Sequence, residues 1–367
     1  MDKIEKNVEQ LLSKKIDPVY QELAAKIGEG DSRFMPHVFE SMANLEQAKI
    51  MNELPSPVEE IAKKLGINKE TVEKHIQVLF EKGLLFPGKT GWHLTRSWGA
   101  LHDSAGASDP KYDNKDFFDL AFAKSMESNQ WQIQEVKDGK KSKVRQIMRV
   151  IPRWNSIKDI PGVLPCENTS AILKEAEPIA QIECACKKIH RERDCEDKIP
   201  TNTCFTIGRS AQYNVNRGAG KKLSYEEGMA IMAEFDKYPL VHLTGNTNQM
   251  PNLLCNCHNC CCGVFIRNVD TKKLFNQHSL AKSRFIAVVD VEKCKGCGLC
   301  MNKRCPVGAI QMKFYPEYHK ERSVINDEEC IGCGLCVVSC PSKARTMKLI
   351  RPPEYIPEPG SEPYATA

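Results

Sequence analysis

The sequence predicts a multidomain α+β protein, and three observations carry that prediction. Helix caps and apolar residues at helical spacing fill much of residues 1–95, which close on a short hairpin pattern. All 18 cysteines fall after residue 165. The last eight of them form an internal repeat within residues 285–350. The expected division is a helical domain with a terminal hairpin (1–95), a helix and basic connector (96–150), a cysteine-rich metal-binding domain (151–283) and a duplicated cysteine module (284–351). A flexible tail rich in Pro and Glu (352–367) follows.

Composition bounds the function. The chain has 367 residues, enough for two or three domains and a substantial core without covalent staples. An apolar fraction of 41% excludes wholesale disorder, and a net charge of +5 is too mild to argue for nucleic acid. The opening "MDKIEKNVEQLLSKKIDP" reads as a charged helix without the apolar stretch of a secretory signal, and no membrane-spanning run is visible. A cytoplasmic location is therefore expected. Reducing conditions there favour metal binding over disulfides as the use of many cysteines. So dense a set of thiols is prone to oxidation, which points to an anaerobic or strongly reducing host.

In the N-terminal region, Ser56, Pro57 and Glu59 mark a helix start, Ile61 and Leu65 give its apolar stripe, and Gly66 ends it. Asn68 caps a second helix that turns Val72, Ile76 and Leu79 inward and stops at Gly83. "PGKTGWHLT" then reads as a β-hairpin with Gly88 and Gly91 at its turn. This layout resembles a winged-helix domain. The resemblance makes the second helix the reading helix, with Lys69, Glu70, Glu73, Lys74 and Gln77 exposed. Two glutamates there oppose phosphate, and no arginine is available for guanine. Protein docking or scaffolding is expected rather than a nucleic-acid partner. Further on, "FFDLAFAKSM" predicts a helix and "KDGKKSKVRQIMR" a solvated basic connection.

The middle region holds Cys166, which stands alone and reads as structural, and two cysteine groups. The first is Cys184, Cys186, Cys195 and Cys204. The second is Cys255, Cys257, Cys260, Cys261 and Cys262, with His258 among them. Between them Ser224 and Glu227 form a capping box, and the helix it starts is expected to tie the groups into one domain. Thiols so crowded have no packing reason. Side chains of adjacent residues such as Cys260, Cys261 and Cys262 are expected to diverge, so either some pack inward or the run serves two centres. Nine thiols exceed the four that one 4Fe-4S cluster needs. At least one further iron–sulfur cluster is favoured; zinc and a dithiol switch are the alternatives. His258 is expected beside the site as a hydrogen-bond donor, with ligation as the alternative.

The C-terminal repeat runs Cys294, Cys297, Cys300, Cys305, Pro306 and then Cys330, Cys333, Cys336, Cys340, Pro341. The second copy is the C-x2-C-x2-C-x3-C-P run that holds 4Fe-4S clusters. Gly296, Gly298, Gly332 and Gly334 are expected to let the backbone approach the cluster and aim amides at its sulfurs. The segment resembles bacterial two-cluster ferredoxins. The resemblance implies a ferredoxin fold with two 4Fe-4S clusters and crossed ligation. Cys294, Cys297, Cys300 and Cys340 would hold one cluster, and Cys330, Cys333, Cys336 and Cys305 the other. The first copy departs from the pattern, with four residues before Cys305 where the second has three before Cys340. Lys293, Lys295, Lys303, Arg304, Lys313, Lys343, Arg345 and Lys348 give the module a basic character, with docking onto an acidic partner surface and a plain solvated face as the two readings.

The whole pattern resembles multidomain ferredoxin-like proteins of anaerobes. The function expected is electron transfer, as a subunit or adaptor relaying electrons to or from a redox partner, a flavoprotein or larger oxidoreductase complex. No Rossmann glycine fingerprint is present, so hydride chemistry would belong to that partner. Two alternatives stand beside it: an iron–sulfur transcriptional regulator acting through the winged helix, and a reductase centred on the middle cysteines.

Overall fold

The computed structural model describes residues 2–89, 91–140, 143–190, 197–302 and 304–360. Of the expected flexible tail (352–367), residues 361–367 lie outside them, whereas Ile356 is buried and the Asn248 amide donates to the Pro357 carbonyl at 3.0 Å. Contacts divide the chain into two compact units: Met1–Gln134 with Ile182–Asp194 and Tyr213–Lys221, and Glu135–Gln181 with Cys195–Gln212 and Lys222–Ala367. Among the described residues no helix is long and apolar enough to cross a membrane.

The chain begins with six helices: α1 (Asp2–Leu12), α2 (Pro18–Lys26), α3 (Met35–Met42), α4 (Leu45–Glu53), α5 (Val58–Leu65) and α6 (Lys69–Glu81). A hairpin of β1 (Leu85–Gly88) and β2 (Gly91–Leu94) follows, then α7 (Trp98–Gly106) and the 23-residue α8 (Lys115–Lys137). Next come β3 (Met148–Ile151), α9 (Trp154–Ile157), α10 (Thr169–Glu175), β4 (Ile179–Ile182), α11 (Ala185–Ile189), β5 (Cys204–Ile207), α12 (Arg209–Asn216), β6 (Gly220–Leu223) and α13 (Tyr225–Glu234). The last part holds β7 (Val241–Gly245), β8 (Leu253–Cys257), α14 (Gly263–Phe275), β9 (Leu280–Ala281), β10 (Phe285–Val289), β11 (Ile310–Tyr315), β12 (Lys320–Ile325), α15 (Leu335–Val338) and β13 (Arg345–Leu349).

In the first unit, local chemistry sets the helix ends. Asn44 and Gln47 form a capping box on α4, and the Asn68 side chain accepts from the Thr71 amide at 2.7 Å to start α6. Ser56 does not cap α5; Pro57 holds that position without a side-chain bond, its fixed φ setting the entry. Val72, Ile76 and Leu79 are buried as their spacing requires, in one core that also takes Leu101 of α7 and Phe117, Leu120 and Ala121 of α8. Ala185 and Ile189 of α11 join it. Lys188 fixes that segment by ion pairs to Asp113 at 2.6 Å and Glu183 at 2.9 Å. Arg217, fully buried, donates to the Ser104 carbonyl at 2.8 Å and binds segment 213–221.

The second unit is built on a sheet in which the strands run β4-β5-β8-β7-β3-β9. β5, β8, β7 and β3 run antiparallel in succession, and β9 adds in parallel to β3. Strand alternation gives the sheet two apolar faces. Ile151, Phe205 and Leu254 face a core shared with Ile172 of α10 and Met232 of α13. The Ser224–Glu227 capping box starts α13. Val150, Val241, Leu243 and Cys257 face the other core, which takes Phe265 of α14 together with Ile331 and Leu335. The C-terminal module contributes two antiparallel pairs, β10–β13 and β11–β12. Its core includes Trp154 and Ile157 of α9, and the fully buried Arg284 binds Glu167 at 2.7 Å. Residues 154–167 therefore anchor the module to the sheet.

Candidate metal centres

The eight C-terminal cysteines gather into two sets. Cys294, Cys297, Cys300 and Cys340 line one cavity with Gly298, Ser323 and Arg345. Cys305, Cys330, Cys333 and Cys336 line a second, with Gly334, Val307 and Ile331. Each set thus combines three closely spaced cysteines of one copy with the last cysteine of the other. The extra residue before Cys305 does not displace it: its sulfur accepts from the Ala309 amide at 3.2 Å.

The two cavities differ in environment. Burial raises the Cys294 thiol, but hydrogen bonds from Ser323, 3.4 Å away, and the Gly296 amide outweigh it and leave the thiol below its ordinary value. Burial pushes Cys336 up to about 12 and Cys333 well above the ordinary range, with neighbouring cysteines adding to both. Four sulfurs so enclosed are stable as thiolates only with a cation among them. The two four-thiol donor sets fit 4Fe-4S clusters, whose chemistry is one-electron transfer.

The four glycines of these runs all have φ between +70° and +77°, a region other residues enter at a cost. Their surroundings show why no side chain fits at Gly296 and Gly332. Gly298 and Gly334 line the cavities. A Cβ on Gly296 would meet the Glu321 carbonyl, and one on Gly332 the Phe285 carbonyl and Ser283 hydroxyl. At those two positions the close approach is to protein, which locks the cysteine loops onto β12 and β10.

The third group grows out of β8. Cys255 and Cys257 share the face that carries Leu243 and Val241, their partners on β7. Asn256 faces the other way, to His242 at 2.5 Å. On the other side of β8, Phe205 pairs Leu254 and Thr206 pairs Leu253. One step further along that register sets Cys204 across from Cys255. Cys262, the N-cap of α14, completes the group: the buried Cys257 thiol bonds both Cys255 and Cys262, and these contacts, with burial, hold it well above its ordinary value. His258, Cys260 and Cys261 form a separate cluster, their donor atoms all within 4.8 Å. The consecutive sulfurs converge because a turn, not a strand, carries them. His258 donates or accepts at Cys260 Sγ, 2.9 Å away, and meets Asp197 at 3.1 Å. Sequence reasoning missed Asp197, one of several acids in a charged run.

The remaining expectations divide. Cys166 is buried, its carbonyl accepting from Arg149 at 2.8 Å. Cys184 and Cys186 lie on segment 182–194 of the first unit, at the start of α11. Cys195 lies outside the described residues, as does Lys303 of the basic set. Lys295, Lys313, Lys343 and Lys348 are exposed. Lys293 is paired with Asp290 at 2.7 Å, whereas Arg345 is 3% exposed and faces the cysteines rather than solvent.

Residues 293–344 match the family model of the 4Fe-4S dicluster domain. No curated protein and no solved structure matches the chain. The chain therefore carries a C-terminal domain of the 4Fe-4S dicluster kind, which suggests an iron–sulfur electron-transfer role.

Proposed function

We propose that the chain is an electron relay with three iron–sulfur centres. Cys294, Cys297, Cys300 and Cys340 hold the first 4Fe-4S cluster, and Cys305, Cys330, Cys333 and Cys336 the second. Cys204, Cys255, Cys257 and Cys262 hold a third. One observation carries this reading: Val307, Ile331 and Cys333, which line the second cysteine cavity, also pack in the apolar cluster of Cys255, Cys257 and Cys262. A third centre there would adjoin the second through apolar side chains, as a relay requires. The exposed Lys295, Lys313, Lys343 and Lys348 suit a redox partner with an acidic docking surface.

The order α4, α5, α6, β1, β2 supports a winged-helix reading of the N-terminal region, used for protein docking. Lys69 at the start of α6 is engaged by Glu59 at 2.6 Å and Glu73 at 3.7 Å, which leaves little free positive charge for a phosphate backbone. The test is an anaerobic titration with dithionite followed by EPR. Three separately reducible clusters, with Cys257→Ser removing one, support the relay. Two clusters, both untouched by Cys257→Ser, would reduce it to the C-terminal pair.

A further inference from the structure

The stretch from Cys255 to Cys262 has more sulfur than one centre uses, and its geometry divides it. Cys257 bonds Cys255 and Cys262. The other group is His258, Cys260 and Cys261, whose donor atoms lie within 4.8 Å of one another. We infer that His258, Cys260 and Cys261 form a mononuclear zinc(II) site, separate from the thiols on β8. This rests on the proposed relay only in leaving Cys255, Cys257 and Cys262 to another centre.

The histidine carries the strongest argument. Asp197 lies 3.1 Å from His258 Nε2, and Cys260 Sγ lies 2.9 Å from Nδ1. A carboxylate at Nε2 holds the ring proton there and leaves the Nδ1 lone pair directed at the thiols. That is the carboxylate–histidine arrangement that orients metal-bound imidazoles. His258 is 5% exposed and Cys261 7%, so the ring is held in place by its surroundings, while Cys260 is half-buried at the edge of the site. The backbone is held as well: the Cys262 amide donates to the His258 carbonyl at 3.1 Å, drawing residues 258–262 into one turn. That turn brings two consecutive cysteines to one imidazole. One nitrogen and two sulfurs make a mixed, borderline-soft three-ligand set of the kind zinc accepts, with the fourth tetrahedral position left to water or another donor.

The experiment counts zinc, iron and sulfide on the full chain purified anaerobically, then challenges it with Zn2+ alone. About one zinc per chain is expected. His258→Gln and Cys260→Ser should each lose it with iron and sulfide unchanged. Asp197→Asn touches no metal, so it should fold normally and weaken zinc retention against a chelator by about 10–100-fold. A cobalt-exchanged protein should show thiolate-to-cobalt absorbance that Cys261→Ser weakens. Absence of zinc before and after the challenge overturns the site. So does loss of iron and sulfide, rather than zinc, from the His258 and Cys260 variants; that result makes them cluster ligands and leaves the relay standing. Failure of the relay would instead appear as unchanged iron in Cys257→Ser.

Discussion

The Asn259 side-chain amide donates to the carbonyl of Pro306 at 3.1 Å. Asn259 sits in the turn of the middle cysteine stretch, and Pro306 directly follows Cys305 of the second cavity. One bond thus joins the two places where the relay would pass an electron. It lies at the surface, so its expected worth is modest. Asn259→Ala should lower the stability of the anaerobic protein by about 0.5–1.5 kcal/mol in urea denaturation and leave the iron count unchanged. A loss of iron would mean that Asn259 shapes a centre rather than anchoring a turn.

Gly332 and Gly66 share a φ near +70° but differ in surroundings. A Cβ on Gly66 meets nothing within 4 Å, whereas one on Gly332 collides with the Phe285 carbonyl and Ser283. Gly66→Ala should cost about 1 kcal/mol of stability. Gly332→Ala should distort the loop of Cys330 and Cys333 and remove about four irons while sparing the other cluster. Equal effects of the two substitutions in iron assays would contradict this.

Arg345 is buried beside Cys294 and Cys336, one from each cavity, and lowers both thiols electrostatically. Its terminal nitrogens find no hydrogen-bond partner among the described residues. A cation so placed favours the reduced, more negative state of any cluster held by either set. Arg345→Met should therefore shift both C-terminal clusters to more negative potential in EPR-monitored titrations, and Arg345→Lys should restore most of the shift. Unchanged potentials in Arg345→Met would remove this role.

Metal removal should act regionally. Cys300, Cys330 and Cys336 are part of the apolar core of the C-terminal module, so stripping a cluster opens that core. Chelation should abolish hydrogen-exchange protection in β10–β13 while α2–α7 stay protected. Acid should promote the loss. Cys333 and Cys336 are raised, Cys336 to about 12, so protons compete strongly with metal and increasingly so as pH falls. Iron release that slowed on acidification would contradict this.

The parts legible in the sequence were those whose chemistry is local. Asn68, Ser224 and the C-terminal cysteine runs sit within a few residues of what they cap or surround. In the middle region the sequence singled out the crowded thiols, but not which of them lie side by side. Cys204 and Cys255 are brought together by the β5–β8 register across fifty residues of chain, which no spacing announces. The convergence of Cys260 and Cys261 depends on a turn that was read as if side chains alternated. Arg345 was read as a surface charge, although the pattern R-T-M-K-L places it on the same face as the buried Met347. That alternation was the available signal.

The central claim is a third iron–sulfur centre beside the dicluster domain, and an anaerobic iron and sulfide count on the full chain and on Cys257→Ser tests it most directly. The relay predicts about twelve irons with matching sulfide, falling to about eight in the variant, while the two C-terminal clusters keep their EPR signals. About eight irons in both proteins would contradict it.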